Sequence, residues 1–498
     1  MKKLYIITIA LLATLSSFSQ SFQQQSIEFQ SHPALKDAII SLHVKKISGE
    51  ELINIYGNKR LIPASTLKLL TTGSALHALG SDYRFSTELG YSGRIEDGVL
   101  FGDLYIIGKG DPTIGMKDAL SIPLDKIFGE WKNIIQNAGI KEIQGRVIGD
   151  GRYYEGMLEH STWSWEDIGT YYGTGGSALS FYGNVLDFRM ESGNKLGDSV
   201  SIKQSYPITP WMTFINKAST GREKTGDQVY MFGNNLAPIA EFRGTFAMDR
   251  RPKTLCCSNK FSEYTLAEYF SNYLFNNGII CKEEAADCGY VFRAPEIVPI
   301  DSIIIIGKTL SNTLDKIALR TNYISDNFYA EALLKKLGKE YEGSAEYDAS
   351  TRALRRIITQ IIGKSISGVQ IKDGSGLSRQ NYISSEFMTS FLIGMSKSPS
   401  FESFLTSIPN PGSKGTVDIF LIKEPEEIRA RIFLKSGSMN NIRCYSGYIL
   451  PKGCSDINKM SNVEKKEIIA FSILCNNFTS SQGQVQKAIE SLILSLAT

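Results

Sequence analysis

Histidine is scarce in this chain of 498 residues, which contains four: His32, His43, His77 and His160. They are scattered and form no H-E-x-x-H pair, so a zinc peptidase lacks its usual ligands. A Ser-His-Asp hydrolase would have to take its base from the same scattered positions. We therefore expect a chemistry that needs no histidine, no metal and no cofactor.

Cysteine is also sparse, and none of its seven residues has zinc-ribbon spacing: Cys256, Cys257, Cys281, Cys288, Cys444, Cys454 and Cys475. The odd number leaves at least one thiol free or paired with another chain. If the protein is exported, Cys281 could bridge locally to Cys288, or one of Cys256 and Cys257 could form a bridge. The sequence leaves the pairing open.

Neither sign of charge dominates the chain. The net charge is +3, and it falls to about +1 if Lys2 and Lys3 are removed with a leader. No basic stretch has interleaved aromatic residues, so nucleic acid is not an expected partner. Hydrophobic residues (42%) and charged residues (21%) are at globular levels, and the length predicts two or three domains.

Long apolar runs are absent after the N-terminus, which reads MKKLYIITIALLATLSSFSQ. Its positive start, short apolar run and small polar residues are typical of a secretory signal, with a membrane anchor as the alternative. The apolar run is short for a bilayer span. We therefore expect an exported protein, periplasmic or in the cell envelope, without a transmembrane segment in the mature chain.

The pattern of elements changes twice along the chain. Strand-like alternation from about Ser26 to Tyr56 precedes a helix that begins near Pro63 and ends at Gly80. A mainly β region follows to about Arg293, and a helical region begins after Ile303. Three strands and a last helix close the chain. We predict a signal peptide at 1–20 and a catalytic domain that is split between 21–85 and 296–498. An inserted domain would comprise 86–183 and 255–295, and a second insertion at 184–254 would be nested within it.

Ser65 and Lys68 form an S-x-x-K motif near the start of the predicted helix. Residues three apart lie on the same helix face, and a lysine buried beside another cation can act as a base near neutral pH. Ser65 would then be an activated nucleophile. The spacing alone is weak, because Ser192 and Lys195 repeat it in a polar string. Taken alone, it is better explained as a capped helix start with a solvated lysine.

Two further motifs support a catalytic interpretation of Ser65 and Lys68. Ser325-Asp326-Asn327 precedes a helical stretch, and its hydroxyl and amide suit proton relay and substrate binding. A literal Lys-Thr-Gly stands at 224–226 in a polar string, whereas Lys435-Ser436-Gly437-Ser438 ends an apolar, strand-like run. A pocket needs a rigid edge strand, so we choose Lys435 as the lysine of the third motif.

Motifs of these three kinds, in this order, describe penicillin-binding proteins and serine β-lactamases. The chain resembles the class C low-molecular-mass penicillin-binding proteins, a family of D-alanyl-D-alanine carboxypeptidases/endopeptidases. The resemblance covers residues from about 60 to 450 and is carried by PASTLKLLTTGSAL, GDLYIIGKGDPT, WEDIGTYYGTGGSAL, SDNFYAEALLKKLG, DGSGLSR and KSGSMNNIRCYSGYIL. The long gap between Lys68 and Ser325 is also typical of this family. Ser436 replaces the usual threonine, and GKGDPT the more usual GGGDPT.

The resemblance implies a fold: a serine β-lactamase/penicillin-binding-protein transpeptidase-like α/β (α+β) fold, with an antiparallel sheet flanked by helices and large, mainly β inserted domains. It also implies peptidoglycan peptides as substrates and β-lactam antibiotics as covalent inhibitors.

The implied site residues carry over position by position. Ser65 is the nucleophile, Lys68 the base, and Ser325, Asn327 and Lys435 complete the catalytic set. Ser436, Gly437 and Ser438 bind substrate, with the Ser438 and Ser65 N–H groups forming an oxyanion hole.

Several alternatives stay open. A β-lactamase or esterase on the same fold, or a non-catalytic cell-wall binding protein, would share the motifs. Asp373 and Ser375 of DGSGLSR are explained equally well by a glycine-rich turn, so we leave them out of the catalytic set. For the aromatic group at Trp163, Trp165, Tyr171 and Tyr172 we favour core packing over sugar stacking. The balance of carboxypeptidase and endopeptidase activity and the oligomeric state are not decided by the sequence.

Overall fold

The structure is a computed structural model that describes residues 22–117 and 121–498. The predicted signal peptide at 1–20 therefore lies outside the described residues. Within these ranges, no helix combines the length and the apolar character that crossing a membrane requires.

The chain forms two compact units. The first contains 22–81, Ala318–Asp326 and Leu354–Thr498, and the second contains Asp82–Ile317 and Asn327–Ala353. Residues from both ends of the chain thus belong to the first unit. The division differs from our boundaries in giving Asn327–Ala353 to the second unit. Our three-part boundaries stay a prediction.

The first unit is organised around a five-stranded antiparallel sheet of order β2-β1-β24-β23-β22. Its strands are β1 (Ile39–Lys46), β2 (Glu51–Ile55), β22 (Ile432–Met439), β23 (Ile442–Ile449) and β24 (Ile469–Asn476). A short pair, β3 (Arg60–Leu61) and β21 (Ile383–Ser384), lies apart from this sheet. The predicted N-terminal hairpin and the three C-terminal strands are confirmed. Residues 26–31, which we predicted as strand, belong instead to a helix over 22–31.

Helices flank this sheet. They are α1 (22–31), α2 (Lys68–Leu79), α9 (Ser385–Met395), α10 (Phe401–Thr406), α11 (Glu426–Arg429), α12 (Asn462–Lys466) and α13 (Gln482–Ala497), while α6 (Leu314–Tyr323) and α8 (Tyr347–Ile362) contribute residues to both units. Apolar residues of α13, such as Ile489 and Ile493, pack with the sheet residues Phe471 and Ile473. On α9, the Leu392 carbonyl accepts a hydrogen bond from the Tyr448 hydroxyl of β23. An antiparallel sheet with helical cover is the predicted arrangement.

The second unit has two larger sheets. One has the order β19-β9-β7-β4-β20 and the other β18-β8-β6-β5. The strands are β4 (Arg84–Tyr91), β5 (Arg94–Glu96), β6 (Val99–Phe101), β7 (Leu104–Gly108), β8 (Glu142–Ile143), β9 (Val147–Asp150), β18 (Ile280–Cys281), β19 (Ala286–Asp287) and β20 (Ile304–Thr313). Its helices are α3 (Leu124–Asn137), α4 (Trp165–Ile168), α5 (Ser262–Asn276) and α7 (Asn327–Glu342). Trp131 of α3 and Phe270 of α5 meet edge to face in the core between them.

A smaller β module lies within the second unit and has a hydrophobic core of its own. Its strands are β10 (Val185–Glu191), β11 (Ser201–Tyr206), β12 (Thr213–Asn216), β13 (Ser219–Gly221), β14 (Tyr230–Gly233), β15 (Ile239–Arg243), β16 (Thr245–Ala247) and β17 (Lys253–Ser258). Phe188, Phe214 and Phe242 pack together in that core. The nested insertion over 184–254 stays a prediction.

Three elements differ from the sequence interpretation. Helices α3 and α5 lie inside the region that we described as mainly β, and β20 occupies residues that we placed in a helical region. The run Ile303–Ile306 is β-branched, and β20 pairs antiparallel with β4 from Ile304 to Thr313. Cross-strand pairing thus outweighs the helical spacing of the residues that follow.

Candidate active site

Ser65 lies in a tight turn at the entrance of a helix. The turn is a 3-10 segment, Ala64–Leu67, that runs directly into α2. Ala64 before the serine has a φ of +46°, a conformation that costs a non-glycine residue about 1–3 kcal/mol. Ser65 itself is partly exposed, while its neighbours Ala64, Thr66 and Leu67 are buried. The local fold therefore presents one hydroxyl on a rigid base.

Lys68 is fully buried and reaches back to this hydroxyl. Its Nζ lies 3.0 Å from Ser65 Oγ and donates to the Ser375 carbonyl at 2.7 Å. The one-turn spacing predicted from the sequence thus becomes a direct hydrogen bond. A neutral amine at this distance is able to take the hydroxyl proton.

Strand β22 runs past the Ser65 turn at very close range. A Cβ on Gly437 would stand 2.7 Å from the Pro63 carbonyl oxygen and 3.1 Å from the Ser65 nitrogen. Any side chain there would push the strand away from Ser65. The glycine of the third motif is therefore what lets the strand lie beside the serine backbone.

The Lys435 side chain connects the third motif to Ser325 of the second motif. It is fully buried, and its Nζ donates to Ser325 Oγ at 2.9 Å and to the Ser436 carbonyl at 2.9 Å. Burial, and then the positive charge of Lys68, lowers the pKa of Lys435 well below its usual 10.5. Ser325 has a φ of +59°, so the loop before α7 is held in an uncommon conformation. Two buried amines and two hydroxyls thus share one polar site.

The remaining residues of the third motif differ in exposure. Ser436 is buried, and its hydroxyl donates to Thr416 Oγ1 at 2.9 Å. Ser438 is exposed at the end of β22, where it pairs with Arg443 of β23. Thr416 was missed in the sequence because it stands in a loop without a motif of its own.

Asn327 belongs to the second unit. It is the first residue of α7, and its Nδ2 donates to the Tyr172 carbonyl at 2.9 Å. It stands two residues after Ser325 in the chain.

The competing motifs lie in other surroundings. Lys224 has a φ of +64°, and its backbone N–H donates to Asp249 in a turn outside any strand. Ser192 and Lys195 follow the end of β10 in a loop, and Lys195 is exposed. Neither set has the buried amine and neighbouring hydroxyl of the first unit.

A buried turn that we left out of the catalytic set holds Lys68 in place. The Asp373 carboxylate accepts hydrogen bonds from the Gly376 N–H (2.9 Å), the Ser378 N–H (2.6 Å) and Asn381 Nδ2 (2.8 Å). This turn carries the Ser375 carbonyl that accepts from Lys68. The DGSGLSR stretch was noticed in the sequence, but only the fold reveals that its backbone reaches the lysine.

Comparison with known proteins identifies the family of this chain. The model of the D-Ala-D-Ala carboxypeptidase 3 (S13) family matches residues 23–498. The chain belongs to this family. It is 25% identical to a D-alanyl-D-alanine carboxypeptidase of Actinomadura sp. (strain R39), over 84% of this chain and 76% of the relative. It is 23% identical to the D-alanyl-D-alanine carboxypeptidase DacB of Haemophilus influenzae, over 90% and 91%.

A solved structure gives the fold. The crystal structure of penicillin binding protein 4 (dacB) from Haemophilus influenzae superposes with a TM-score of 0.78 at 20% identity, covering 95% of this chain and 99% of that one. The predicted penicillin-binding-protein fold and the predicted family are confirmed. As an S13 family member, the protein is a serine-type D-Ala-D-Ala carboxypeptidase, a hydrolase.

The structure also bears on two points that the sequence left undecided. The described residues include all seven cysteines, and none of them forms a disulfide, so neither of the possible local bridges is present. In the aromatic group, Trp163 is buried against Tyr347 as expected, whereas Trp165 and Tyr171 are exposed. Core packing therefore explains only part of that group.

The lowered pKa of Lys435 predicts a pH-dependent stability. Because the unfolded chain binds this proton more tightly, the parent protein loses stability as pH falls from 10.5 toward the folded pKa, by up to about 1.4 kcal/mol per pH unit. Lys435→Met removes this cost, so its stability relative to the parent should be greatest at low pH and should shrink as pH rises. Urea unfolding at several pH values measures the difference. The exposed Lys459→Met should follow the parent, and identical pH slopes for Lys435→Met and the parent would contradict the assignment.

Asp373 is predicted to position Lys68 through the turn. Asp373→Ala leaves buried N–H donors without their acceptor, at about 1–3 kcal/mol each, so we expect a loss of at least about 2 kcal/mol in unfolding free energy. Acylation by penicillin should also slow at least about tenfold, as the Ser375 carbonyl shifts away from Lys68. Ser375→Ala is the matched control, since it retains that carbonyl. An unchanged acylation rate in folded Asp373→Ala would refute the positioning role.

Proposed function

We propose that the protein hydrolyses D-alanyl-D-alanine bonds in peptidoglycan stem peptides and cross-bridges through an acyl-enzyme on Ser65. The observation that carries the proposal is the 3.0 Å contact between Ser65 Oγ and the buried Nζ of Lys68. β-Lactams would acylate the same hydroxyl as covalent inhibitors. The structure of the Haemophilus influenzae relative with a novel β-lactam supports this for the same fold.

In the proposed acylation, neutral Lys68 takes the proton of Ser65 Oγ, which attacks the carbonyl carbon of the penultimate D-alanine. The oxyanion accepts hydrogen bonds from the N–H groups of Ser65 and Ser438, each worth about 3–4 kcal/mol in comparable sites. The C–N bond then breaks, and Ser325 passes its hydroxyl proton to the leaving amine while it takes up the proton that Lys68 had accepted, which leaves Lys68 neutral again. The Lys435–Ser325 hydrogen bond supports this relay, because it holds that hydroxyl at a buried amine.

Substrate binding is proposed for the third motif and for Asn327. The terminal carboxylate would lie against Lys435 and Ser436, where the hydroxyl–hydroxyl contact with Thr416 fixes the Ser436 side chain. Gly437 keeps the strand close, and Asn327 would bind the peptide amide. Water then attacks the ester, with Lys68 again accepting a proton, and Ser65 is regenerated.

The cellular location is part of the same proposal. The N-terminal sequence and the peptidoglycan substrate both favour an exported protein that acts in the periplasm or cell envelope. We expect the full chain to be secreted and to lose about 20 residues from its N-terminus. The mass of the exported protein measures this loss.

Purified muropeptides test the function directly. Release of D-alanine from pentapeptide monomers would indicate carboxypeptidase activity, and loss of cross-linked dimers would indicate endopeptidase activity. Fluorescent penicillin should label the protein in parallel, and the acyl-enzyme should persist. Rapid turnover of penicillin without change in any muropeptide would instead favour a β-lactamase. No labelling and no product together would overturn the proposal in favour of a binding protein.

A further inference from the structure

Thr416 stands in a loop of the first unit, between α10 and α11. Its hydroxyl oxygen accepts a hydrogen bond from Ser436 Oγ of β22 at 2.9 Å. The same hydroxyl lies 3.4 Å from the Tyr323 carbonyl oxygen, to which the Thr416 backbone N–H donates at 3.2 Å. Tyr323 ends α6, two residues before Ser325. One threonine thus connects the third motif to the segment that carries Ser325.

The preceding glycine lets this loop approach Tyr323. Gly415 has a φ of +139°, and a Cβ at this position would stand 2.3 Å from the Tyr323 carbonyl oxygen. A side chain at that distance would push the loop away from the carbonyl. Thr416 itself is exposed, whereas Ser436 is buried. The threonine is therefore held through its backbone, and its hydroxyl reaches the buried serine from the solvent side.

The Ser436 side chain needs such a contact because a serine hydroxyl has no fixed direction of its own. Its Cβ carries a single heavy atom, so its χ1 rotates among three staggered positions, whereas the χ1 of a β-branched threonine is restricted. To bind substrate as proposed, the Ser436 hydroxyl has to face the carboxylate beside Lys435. The hydrogen bond to Thr416 selects one of these positions. The direction of the Ser436 hydroxyl therefore depends on Thr416.

We propose that Thr416 is a positioning residue that directs the Ser436 hydroxyl toward the carboxylate of the ligand and so favours ligands with a free carboxylate. In the free protein, Ser436 donates to Thr416. When a carboxylate binds, both hydroxyl hydrogens rotate, so that Thr416 donates to Ser436 Oγ and Ser436 donates to the carboxylate. Hydrogen bonds in such a chain strengthen one another. The inference rests on the proposed function, which places the ligand carboxylate at Ser436.

The acylation rates of two β-lactams test this role on the full-length protein. Benzylpenicillin has a free carboxylate, whereas its methyl ester does not. Thr416→Val keeps the shape of the side chain and removes the hydroxyl, so it should slow acylation by benzylpenicillin about fivefold to tenfold, as the loss of one hydrogen bond would. The methyl ester should acylate Thr416→Val and the parent at the same rate. Mass spectrometry of the acyl-enzyme at successive times measures all four rates.

Two further variants separate positioning from a general loss of structure. Thr416→Ser keeps the hydroxyl and should restore most of the preference for benzylpenicillin over the ester. In Ser436→Thr the β-branched side chain restricts its own hydroxyl, so the addition of Thr416→Val should have little further effect. Thr406→Val is the matched control, because the exposed Thr406 hydroxyl donates within α10 to the Glu402 carbonyl. It should react like the parent.

The two β-lactams also determine which outcome overturns the inference. Equal slowing of both in Thr416→Val would indicate that the loop only maintains the structure, and an unchanged rate with benzylpenicillin would show that Thr416 has no effect on Ser436. Either result refutes the positioning role. The proposed hydrolysis is decided separately by muropeptide products, so a protein that is acylated with the expected preference but forms no such product refutes the hydrolysis alone.

Discussion

Ser65→Ala is expected to abolish covalent labelling by penicillin and to lower kcat/KM for D-alanyl-D-alanine substrates by about 10⁶-fold. Loss of the nucleophile in a serine hydrolase typically has an effect of this size, because the acyl-enzyme forms on that hydroxyl. Ser65 is partly exposed in a rigid turn, so its alanine variant should fold. Gel fluorescence with a labelled penicillin and single-turnover kinetics measure the effect.

Ser192→Ala is the matched control, because Ser192 and Lys195 repeat the same spacing in a loop of the second unit. It should label and turn over like the parent. Persistent labelling of Ser65→Ala, or loss of labelling in Ser192→Ala, would show that the nucleophile is elsewhere.

Replacing Lys68 should also slow acylation strongly, although less than the loss of Ser65. Lys68→Met removes the proposed base, whose Nζ contacts Ser65 Oγ, and general-base catalysis typically contributes about 10²–10⁴-fold. Lys68→Arg should be equally slow, because a guanidinium keeps the charge but does not release its proton near neutral pH. Stopped-flow acylation with a chromogenic β-lactam measures both rates.

The arginine variant separates two roles of Lys68. If the lysine contributed only positive charge, Lys68→Arg would retain most of the acylation rate, and the general-base assignment would be wrong. Lys195→Met, the control at the repeated spacing, should acylate at the rate of the parent. Circular dichroism verifies that each variant is folded before its rate is interpreted.

The sequence by itself determined the features that depend on neighbouring residues. The helix from Lys68 to Leu79, with Gly80 at its end, follows from apolar spacing and a glycine cap. The hairpin β22–β23 follows from two apolar runs on either side of Asn440-Asn441. The order of the three motifs predicted the family, because each motif is local and can be recognised without knowledge of the fold.

Only the tertiary structure decided which distant groups meet. Lys435 reaches Ser325 across 110 positions, and the Ser375 carbonyl reaches Lys68 across 307. Gly437 is needed because the backbone of the Ser65 turn lies so close that a side chain at this position would collide with it. No spacing in the sequence encodes that approach. The strand β20 was missed because its partner β4 lies more than 200 residues earlier. Local propensity decides how a segment starts and ends, while burial and pairing decide what it faces.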